Sequence, residues 1–178
     1  MDSIASPPVP APAPAAASHA TLGFKITPLP PAALDRIRAQ GHDDHGNRLR
    51  PITDEHGGTP LRCCLRNASP GEPIALIAWS PFQLPQPSPY AEVGPVFIHA
   101  ERCAGYPSQD AYPDGFRSRP QVFRAYDTQS RIVDAVLVEA GQGQEAVIAA
   151  LLVRAEVAFL HSRNVLYGCY MFQIDRAS

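Results

Sequence analysis

The apolar residues of this chain occur in short runs that prolines and glycines interrupt, and this pattern limits what the chain can fold into. The sequence holds 20 prolines and 12 glycines in 178 residues. Proline has no backbone N–H to donate into the ladder of a sheet, so it borders strands. In the first run, Leu22, Phe24 and Ile26 alternate with small or polar residues until Pro28 stops the pattern. Such alternation predicts a half-buried strand from Thr21 to Thr27.

Further runs of this kind predict two hairpins and a strand between them. The first hairpin is predicted from LRCCLR (61–66) and IALIAWS (74–80), and VGPVFIHA (93–100) predicts a separate strand. The second hairpin is predicted from QVFRAYD (121–127) and RIVDAVLVEA (131–140). Alternation in the last of these runs favours a central strand.

Two segments have helical periodicity. In PPAALDRIRAQG, Leu34 and Ile37 lie three residues apart, and Gly41 is suited to close the helix. A second helix is predicted from Gln144 to Arg154. The segment from Val157 to Arg163 fits either a continuation of that helix or a strand, and we favour a short helix followed by a terminal hairpin.

These patterns predict an α+β fold with a mainly antiparallel sheet of about seven or eight strands and two helices. Residues 1–20 contain many alanines and prolines and almost no large apolar side chain, so we expect a disordered tail before a single domain of residues 21–178. Residues 42–60 and 101–120 are expected to be long loops.

Composition excludes several classes of function. The formal net charge is −2 without long runs of one sign, so nothing predicts a nucleic acid or a membrane as partner. No signal for export is visible, and we expect a cytoplasmic protein with four reduced cysteines. Phosphate-binding glycine loops, paired CxxC motifs, HExxH and GxSxG are missing from the sequence, and we expect no cofactor.

Four segments together resemble a family of small bacterial proteins catalogued as domain of unknown function 1203. The resemblance spans about Leu22 to Arg176 and rests on PLRCCLRNASPGEPIALIAWSPF, SPYAEVGPVFIHAERCAGY, RSRPQVFRAYDTQSRIVDAVLVE and VAFLHSRNVLYGCYMFQIDR. The family pattern opens the first segment with Pro-Cys-Arg, whereas Leu61 follows Pro60 here. The resemblance supports a terminal hairpin and implies no particular activity.

Histidines and acidic residues in the loops have the chemistry of metal ligands without fixed spacing. They are His42, Asp43, Asp44, His45 and His56. His99 and Cys103 form an H-x3-C pair, but it falls at a strand end, where we expect the two side chains to diverge. We therefore predict that the purified protein holds no stoichiometric metal and no disulfide.

One cysteine has the sequence context of a reactive thiol. If LRCCLR is a strand, Arg62, Cys64 and Arg66 share one face, and the two cations would lower the pKa of the thiol between them. The alternative is that Cys64, like Cys63, is a small buried apolar residue.

Four polar residues interrupt the apolar pattern of two predicted strands. Arg124 and Tyr126 share a face of one strand, and His161 and Arg163 share a face of the other. If these faces meet, they form a site for a small anion, with His99 near its rim. The alternative is a structural ladder in which Asp127, Asp134 and Asp175 pair with these residues.

The sequence thus supports three hypotheses. The first is a non-catalytic domain that binds a small anionic ligand or itself as a homo-oligomer. The second is an enzyme with His161 or His99 as acid or base beside an arginine clamp. The third is a redox-sensitive module built on Cys64.

Overall fold

The computed structural model describes residues 23–82 and 89–177. Its elements are, in chain order, β1 (Phe24–Thr27), α1 (Pro31–Gln40), β2 (Pro51–Asp54), β3 (Pro60–Leu61), β4 (Arg66–Asn67), β5 (Glu72–Trp79), β6 (Gly94–His99), a 3₁₀ turn (Asp114–Phe116), β7 (Gln121–Tyr126), β8 (Ile132–Val138), α2 (Gln144–Leu152), β9 (Phe159–Asn164) and β10 (Tyr170–Arg176). The predicted tail and the first two residues of the predicted first strand lie outside the described residues.

The strands form two five-stranded sheets. Sheet I has the order β1-β10-β9-β7-β8, and each of its pairs is antiparallel. Sheet II has the order β2-β5-β6-β3-β4, and its one parallel pair joins β3 to β6. The predicted α+β class with mainly antiparallel pairing is confirmed.

Helix α2 covers one face of sheet I. Ile148 and Leu152 of the helix are fully buried against Phe123 of β7 and Phe172 of β10. Alternation places every second residue of β7 in this core, because successive side chains of a strand point to opposite faces. The other face of sheet I carries the polar residues predicted to form a site.

Helix α1 contributes to the core of sheet II. Leu34 and Ile37 pack with Ile77 and Ile98 of the central strands. The helix ends as predicted at Gly41, whose φ of 71° is left-handed and whose N–H donates to the carbonyl of Ile37. The predicted short second helix and terminal hairpin are also confirmed, since β9 pairs with β10.

Residues 42–60 are not wholly a loop, as the sequence predicted, because β2 lies within them. Ile52 pairs with Ile74 of β5 at the edge of sheet II. Asp54 then organises the following turn by accepting hydrogen bonds from the N–H groups of Gly57 and Thr59. No alternation of apolar and polar residues marks β2 in the sequence, because the strand contains one large apolar residue, Ile52, and that side chain is 51% exposed.

The prediction that LRCCLR forms a strand is wrong. The strand ends at Leu61, and the chain makes a helical turn in which the N–H of Leu65 donates to the carbonyl of Leu61. Leu65 adopts a left-handed φ of 55°. The predicted hairpin with β5 is therefore also wrong, because β5 pairs with β2 and β6 instead.

The prediction that the run at 131–140 is a central strand is wrong as well. The hairpin of β7 and β8 exists, but β8 is the edge of sheet I. Its apolar residues Ile132, Val133 and Leu137 are 36–54% exposed, although they lie on both faces of the strand. Apolar residues on both faces were the reason for predicting a central strand. Neither of the two helices in the described part of the chain is long and apolar enough to cross a membrane.

Candidate functional site

Three thiols and one imidazole converge beside the end of β6. The donor atoms of Cys63, Cys64, His99 and Cys103 all lie within 4.8 Å of one another. We call these residues the thiol–imidazole cluster. The first three are buried and Cys103 is partly buried. No second group of this kind occurs among the residues that the structure describes.

The turn after β3 brings the adjacent cysteines to His99. Leu61 pairs in parallel with Phe97, and the N–H of Arg62 donates to the carbonyl of Phe97. The turn therefore begins two residues from the end of β6. The backbone N–H of His99 donates to Cys63 Sγ at 3.3 Å, which fixes that sulfur beside the strand.

The imidazole ring presents one nitrogen to the sulfurs and the other to a carboxylate. His99 Nδ1 lies 3.2 Å from Cys63 Sγ and 3.7 Å from Cys64 Sγ. His99 Nε2 lies 2.8 Å from Glu72 Oε1 and 2.8 Å from a guanidinium nitrogen of Arg66. In the tautomer with its proton on Nε2, the ring donates to Glu72 and leaves the lone pair of Nδ1 directed at the thiols, whereas the Arg66 nitrogen, which can only donate, stands against that proton.

Glu72 is held in place for this contact. Arg66 donates to both of its carboxylate oxygens, at 2.8 and 2.5 Å, and the N–H of Ser69 donates to it at 2.8 Å. The hydrogen bonds from Arg66 are the main reason that the pKa of Glu72 lies well below its usual range. The carboxylate is thus charged at neutral pH and can accept from the imidazole.

The thiols differ in acidity. Cys64 accepts a hydrogen bond from the thiol of Cys63, so the pKa of Cys64 is lowered and that of Cys63 is raised. Burial raises the pKa of Cys103. The negative charge of a singly deprotonated cluster therefore resides on Cys64.

The cluster has nearly the dimensions of a tetrahedral metal site. With Zn–S bonds of about 2.3 Å and a Zn–N bond of about 2.0 Å, tetrahedral ligands lie roughly 3.8 Å (S to S) and 3.5 Å (S to N) apart. His99 Nδ1 lies 3.2 Å from Cys63 Sγ and 3.7 Å from Cys64 Sγ, which are on either side of the S-to-N distance expected for zinc. The donor atoms that lie up to 4.8 Å apart need to approach each other by about 1 Å to reach the S-to-S distance.

The prediction that the side chains of His99 and Cys103 diverge is wrong. The chain bends after β6, so that Cys103 Sγ lies within 4.8 Å of the imidazole donor atom. Cys63 was also missed as a partner, since a strand would have turned it away from Cys64. The available signal was the combination of adjacent cysteines with an H-x3-C pair.

The predicted pair of cations beside Cys64 is only half present. Arg66 is one of the charges that lower the pKa of Cys64. Arg62 instead directs its guanidinium at the carbonyl oxygens of Pro60 and Tyr170. The helical turn causes this difference, because residues two apart no longer share a face.

The four polar residues of sheet I do lie on one face, as the strand pattern predicted. Arg124 stands opposite His161 in the register of β7 and β9, and Arg163 is two residues further along β9. The rings of Tyr126 and His161 lie 4.7 Å apart between centroids. His99 belongs to sheet II and to the thiol–imidazole cluster, and it is not among the residues whose rings contact His161.

His161 is enclosed by aromatic rings. Its ring centroid lies 4.9 Å from that of Phe82, 5.2 Å from that of Phe159 and 5.0 Å from that of Tyr170. The residue has no exposed surface, and burial lowers its pKa to about 3. The imidazole is therefore neutral at physiological pH.

The aspartates predicted to pair with this face bind elsewhere. Asp127 pairs with Arg131 and Asp134 with Arg154, while Asp175 accepts from Thr27 and Gln173. The buried Arg163 is instead paired with Glu92. Among the described residues, no ion pair with a carboxylate involves Arg124.

Among the polar residues of the 42–60 segment, Asp43 has a structural role. It is 1% exposed and accepts hydrogen bonds from Asn47 and from the N–H of Ala78. These contacts tie the loop after α1 to β5.

The fold and the cluster together define a two-sheet α+β protein with three thiols and an imidazole at one point of sheet II. A family described as "Protein of unknown function (DUF1203)" matches residues 58–176. This is more than half of the chain, and the protein belongs to that family. The match includes the whole cluster but not β1, α1 and β2. Comparison with curated proteins and with solved structures gave no match.

Proposed function

We propose that this protein binds a thiophilic divalent metal ion, with zinc as the first choice, through the thiol–imidazole cluster. The observation that carries the proposal is the convergence of four donor atoms within 4.8 Å. This proposal replaces the sequence-based expectation that no metal is bound. That expectation assumed a strand at LRCCLR and diverging side chains after β6.

The donor set favours zinc over the harder cations. Thiolate and imidazole ligands suit zinc, whereas magnesium and calcium prefer oxygen. Three sulfurs and one nitrogen fill a tetrahedral shell, which is the arrangement of structural zinc sites. Binding requires deprotonated thiols, so it releases protons and strengthens as the pH rises.

The contact between His99 and Glu72 supports the same proposal. Histidines that bind metals commonly donate their second N–H to a carboxylate, which fixes the ring and its tautomer. Glu72 stands 2.8 Å from Nε2, on the side of the ring away from the thiols. The protein thus holds the ring as a metal ligand would be held.

A redox-sensitive module is the second candidate for these residues. Cys64 and Cys103 both line a pocket of about 440 Å³ that also contacts Arg66 and Tyr106. A small oxidant or thiol reagent could reach them from this side. In the cytoplasm, where we propose that the protein acts, thiols stay reduced and available to a metal.

Anion binding at the polar face of sheet I stays a prediction. Arg124 supports it as a cation with no carboxylate partner among the described residues. The neutrality of the buried His161 removes support for an enzyme that uses it as an acid at neutral pH. Self-association also stays a prediction.

Zinc affinity tests the proposal. We expect the wild-type protein to take one equivalent from a chromophoric chelator, and His99→Ala or Cys103→Ala to weaken binding by at least about a hundredfold. Cys169→Ala is the matched control, because Cys169 is a free cysteine outside the cluster. Equal affinity of all four proteins would contradict the proposal.

Glu72→Gln is expected to weaken zinc binding by about 10–100-fold, because the carboxylate orients the imidazole without touching the metal. Competition titration of the variant measures the loss. Glu55→Gln is the control, since Glu55 is an exposed carboxylate on the turn after β2. An unchanged affinity in Glu72→Gln would show that His99 is not oriented by this contact.

A further inference from the structure

A groove beside the parallel strand pair contains two arginines that form no ion pair with any carboxylate in the part of the chain that the structure describes. The groove has a volume of about 580 Å³, which is within the range of small-molecule sites. Arg62 and Arg119 line it together with the apolar side chains of Leu76 and Phe97. It lies apart from the pocket that reaches the thiol–imidazole cluster, and the two share no lining residue.

Arg62 is a buried cation whose hydrogen bonds run to neutral groups. The residue is 3% exposed, and it donates to the backbone carbonyls of Tyr170 and Pro60. A guanidinium stays charged in proteins, and taking a charge out of water without a counter-charge is costly. Among the described residues, Arg62 forms no ion pair with a carboxylate, although the other buried arginine, Arg163, is paired with Glu92.

Arg119 adds a second positive charge near the first. It donates to Asn67 Oδ1 at 3.0 Å and to the carbonyl of Gly58 at 3.3 Å, and both partners are neutral. Within the described part of the chain, Arg119 also forms no ion pair with a carboxylate. Two cations on one groove repel each other, and an anion between them relieves that repulsion.

The remaining surface of the groove is apolar. Leu76 is 45% exposed on the outer face of β5, and Tyr167 is 81% exposed on the turn between β9 and β10. Phe97, which pairs with Leu76, and Pro95 of β6 also line the groove. A ligand that covers these side chains gains free energy by removing apolar surface from water.

We propose that this groove binds an organic carboxylate with an apolar body. The carboxylate lies between Arg62 and Arg119, where planar guanidinium groups can donate to both oxygens. The apolar body lies along Leu76, Phe97 and Tyr167. Binding requires both the negative charge of the carboxylate and the apolar body of the ligand.

The experiment uses the full-length protein as purified, with 3-phenylpropanoate as the probe and calorimetry as the measurement. Two matched probes separate the two requirements: 3-phenylpropanamide lacks the charge, and acetate lacks the apolar body. We expect 3-phenylpropanoate to bind at least about tenfold more tightly than either, which corresponds to about 1.4 kcal/mol.

Arg119→Gln is the variant of choice, because Arg119 is only partly buried, whereas Arg62 is 3% exposed. We expect it to weaken binding of 3-phenylpropanoate at least about tenfold. Arg36→Gln, on the exposed side of α1, is the control and should bind the probe as the wild type does. The proposal is overturned if the wild type does not bind the probe, if the amide or acetate binds as tightly, or if Arg119→Gln binds it unchanged.

Discussion

If the thiol–imidazole cluster binds zinc as we propose, a thousandfold excess of zinc over its Kd is expected to raise the free energy of unfolding by about 4 kcal/mol, and removal of the metal should abolish this gain. The unfolded chain does not hold the four donors together, because the adjacent cysteines and His99 are 35 or 36 residues apart in sequence. The binding free energy of the folded site is therefore stabilisation. For a chain of this length, about 4 kcal/mol corresponds to a fall of about 10 °C in Tm.

Thermal unfolding of zinc-loaded and chelator-treated protein measures this effect. The Cys103→Ala variant controls for action of the chelator elsewhere. With zinc affinity at least about a hundredfold weaker, its Tm should differ between the two conditions by no more than about a third of the wild-type difference. Coincident unfolding curves for the two forms of the wild type would mean that the cluster does not stabilise the fold through a metal.

Acidification from pH 6.5 to 4.5 is expected to cost about 2 kcal/mol of stability through His161 alone. In the unfolded chain this imidazole takes up a proton below about pH 6.5, whereas burial in the folded protein lowers its pKa to about 3. The unfolded state thus binds more protons in this window, and stability falls with pH until the folded pKa is reached. Within residues 23–82 and 89–177, the groups that contact the imidazole carry no negative charge: they are Arg124, Arg163, Tyr126, Tyr170, Phe82, Phe159 and Gln173.

His161→Phe isolates this contribution, because phenylalanine keeps an aromatic ring among Phe82, Tyr126 and Phe159 but cannot titrate. Denaturant unfolding at both pH values should show a smaller loss of stability in the variant by about 2 kcal/mol. Loss of zinc in acid affects both proteins and cancels in the comparison. His56→Gln, at an exposed histidine, should keep the full pH dependence. If His161→Phe keeps it too, the buried imidazole is not its source.

The predictable part of the fold depends on patterns within single elements. Leu34 and Ile37 define a helix by their spacing, and Gly41 closes it by local backbone geometry. The runs that became β7 and β9 alternate because one face of each strand packs into the core under α2, whereas the other face of β9 holds His161 and Arg163, which are also buried. Strand β2 could not be predicted, since its pairing with β5 is a long-range contact and Ile52 remains exposed. The edge position of β8 could not be predicted either, because it depends on how all five strands of sheet I pair.

The same distinction applies to the candidate sites. The polar face of sheet I followed from alternation, because Arg124 and His161 needed only to lie on neighbouring strands. The thiol–imidazole cluster did not follow, because it depends on a helical turn at 62–65 and on a parallel pairing between β3 and β6. A two-residue strand carries too little sequence signal to predict either. Alternation therefore assigned Cys63 and Cys64 to opposite faces, whereas the turn directs both sulfurs at His99.

Cobalt substitution tests the metal site most directly, because Co²⁺ reports both the geometry and the number of sulfur ligands. We expect one equivalent of Co²⁺ to give the intense visible bands of a tetrahedral site and sulfur-to-metal charge transfer. Since three sulfurs share that charge transfer, each single Cys→Ala replacement in the cluster should remove about one third of its intensity. Cys169→Ala should leave the spectrum unchanged. The weak spectrum of octahedral Co²⁺, or a charge-transfer band that the cluster variants retain in full, would contradict a metal centre formed by Cys63, Cys64, His99 and Cys103.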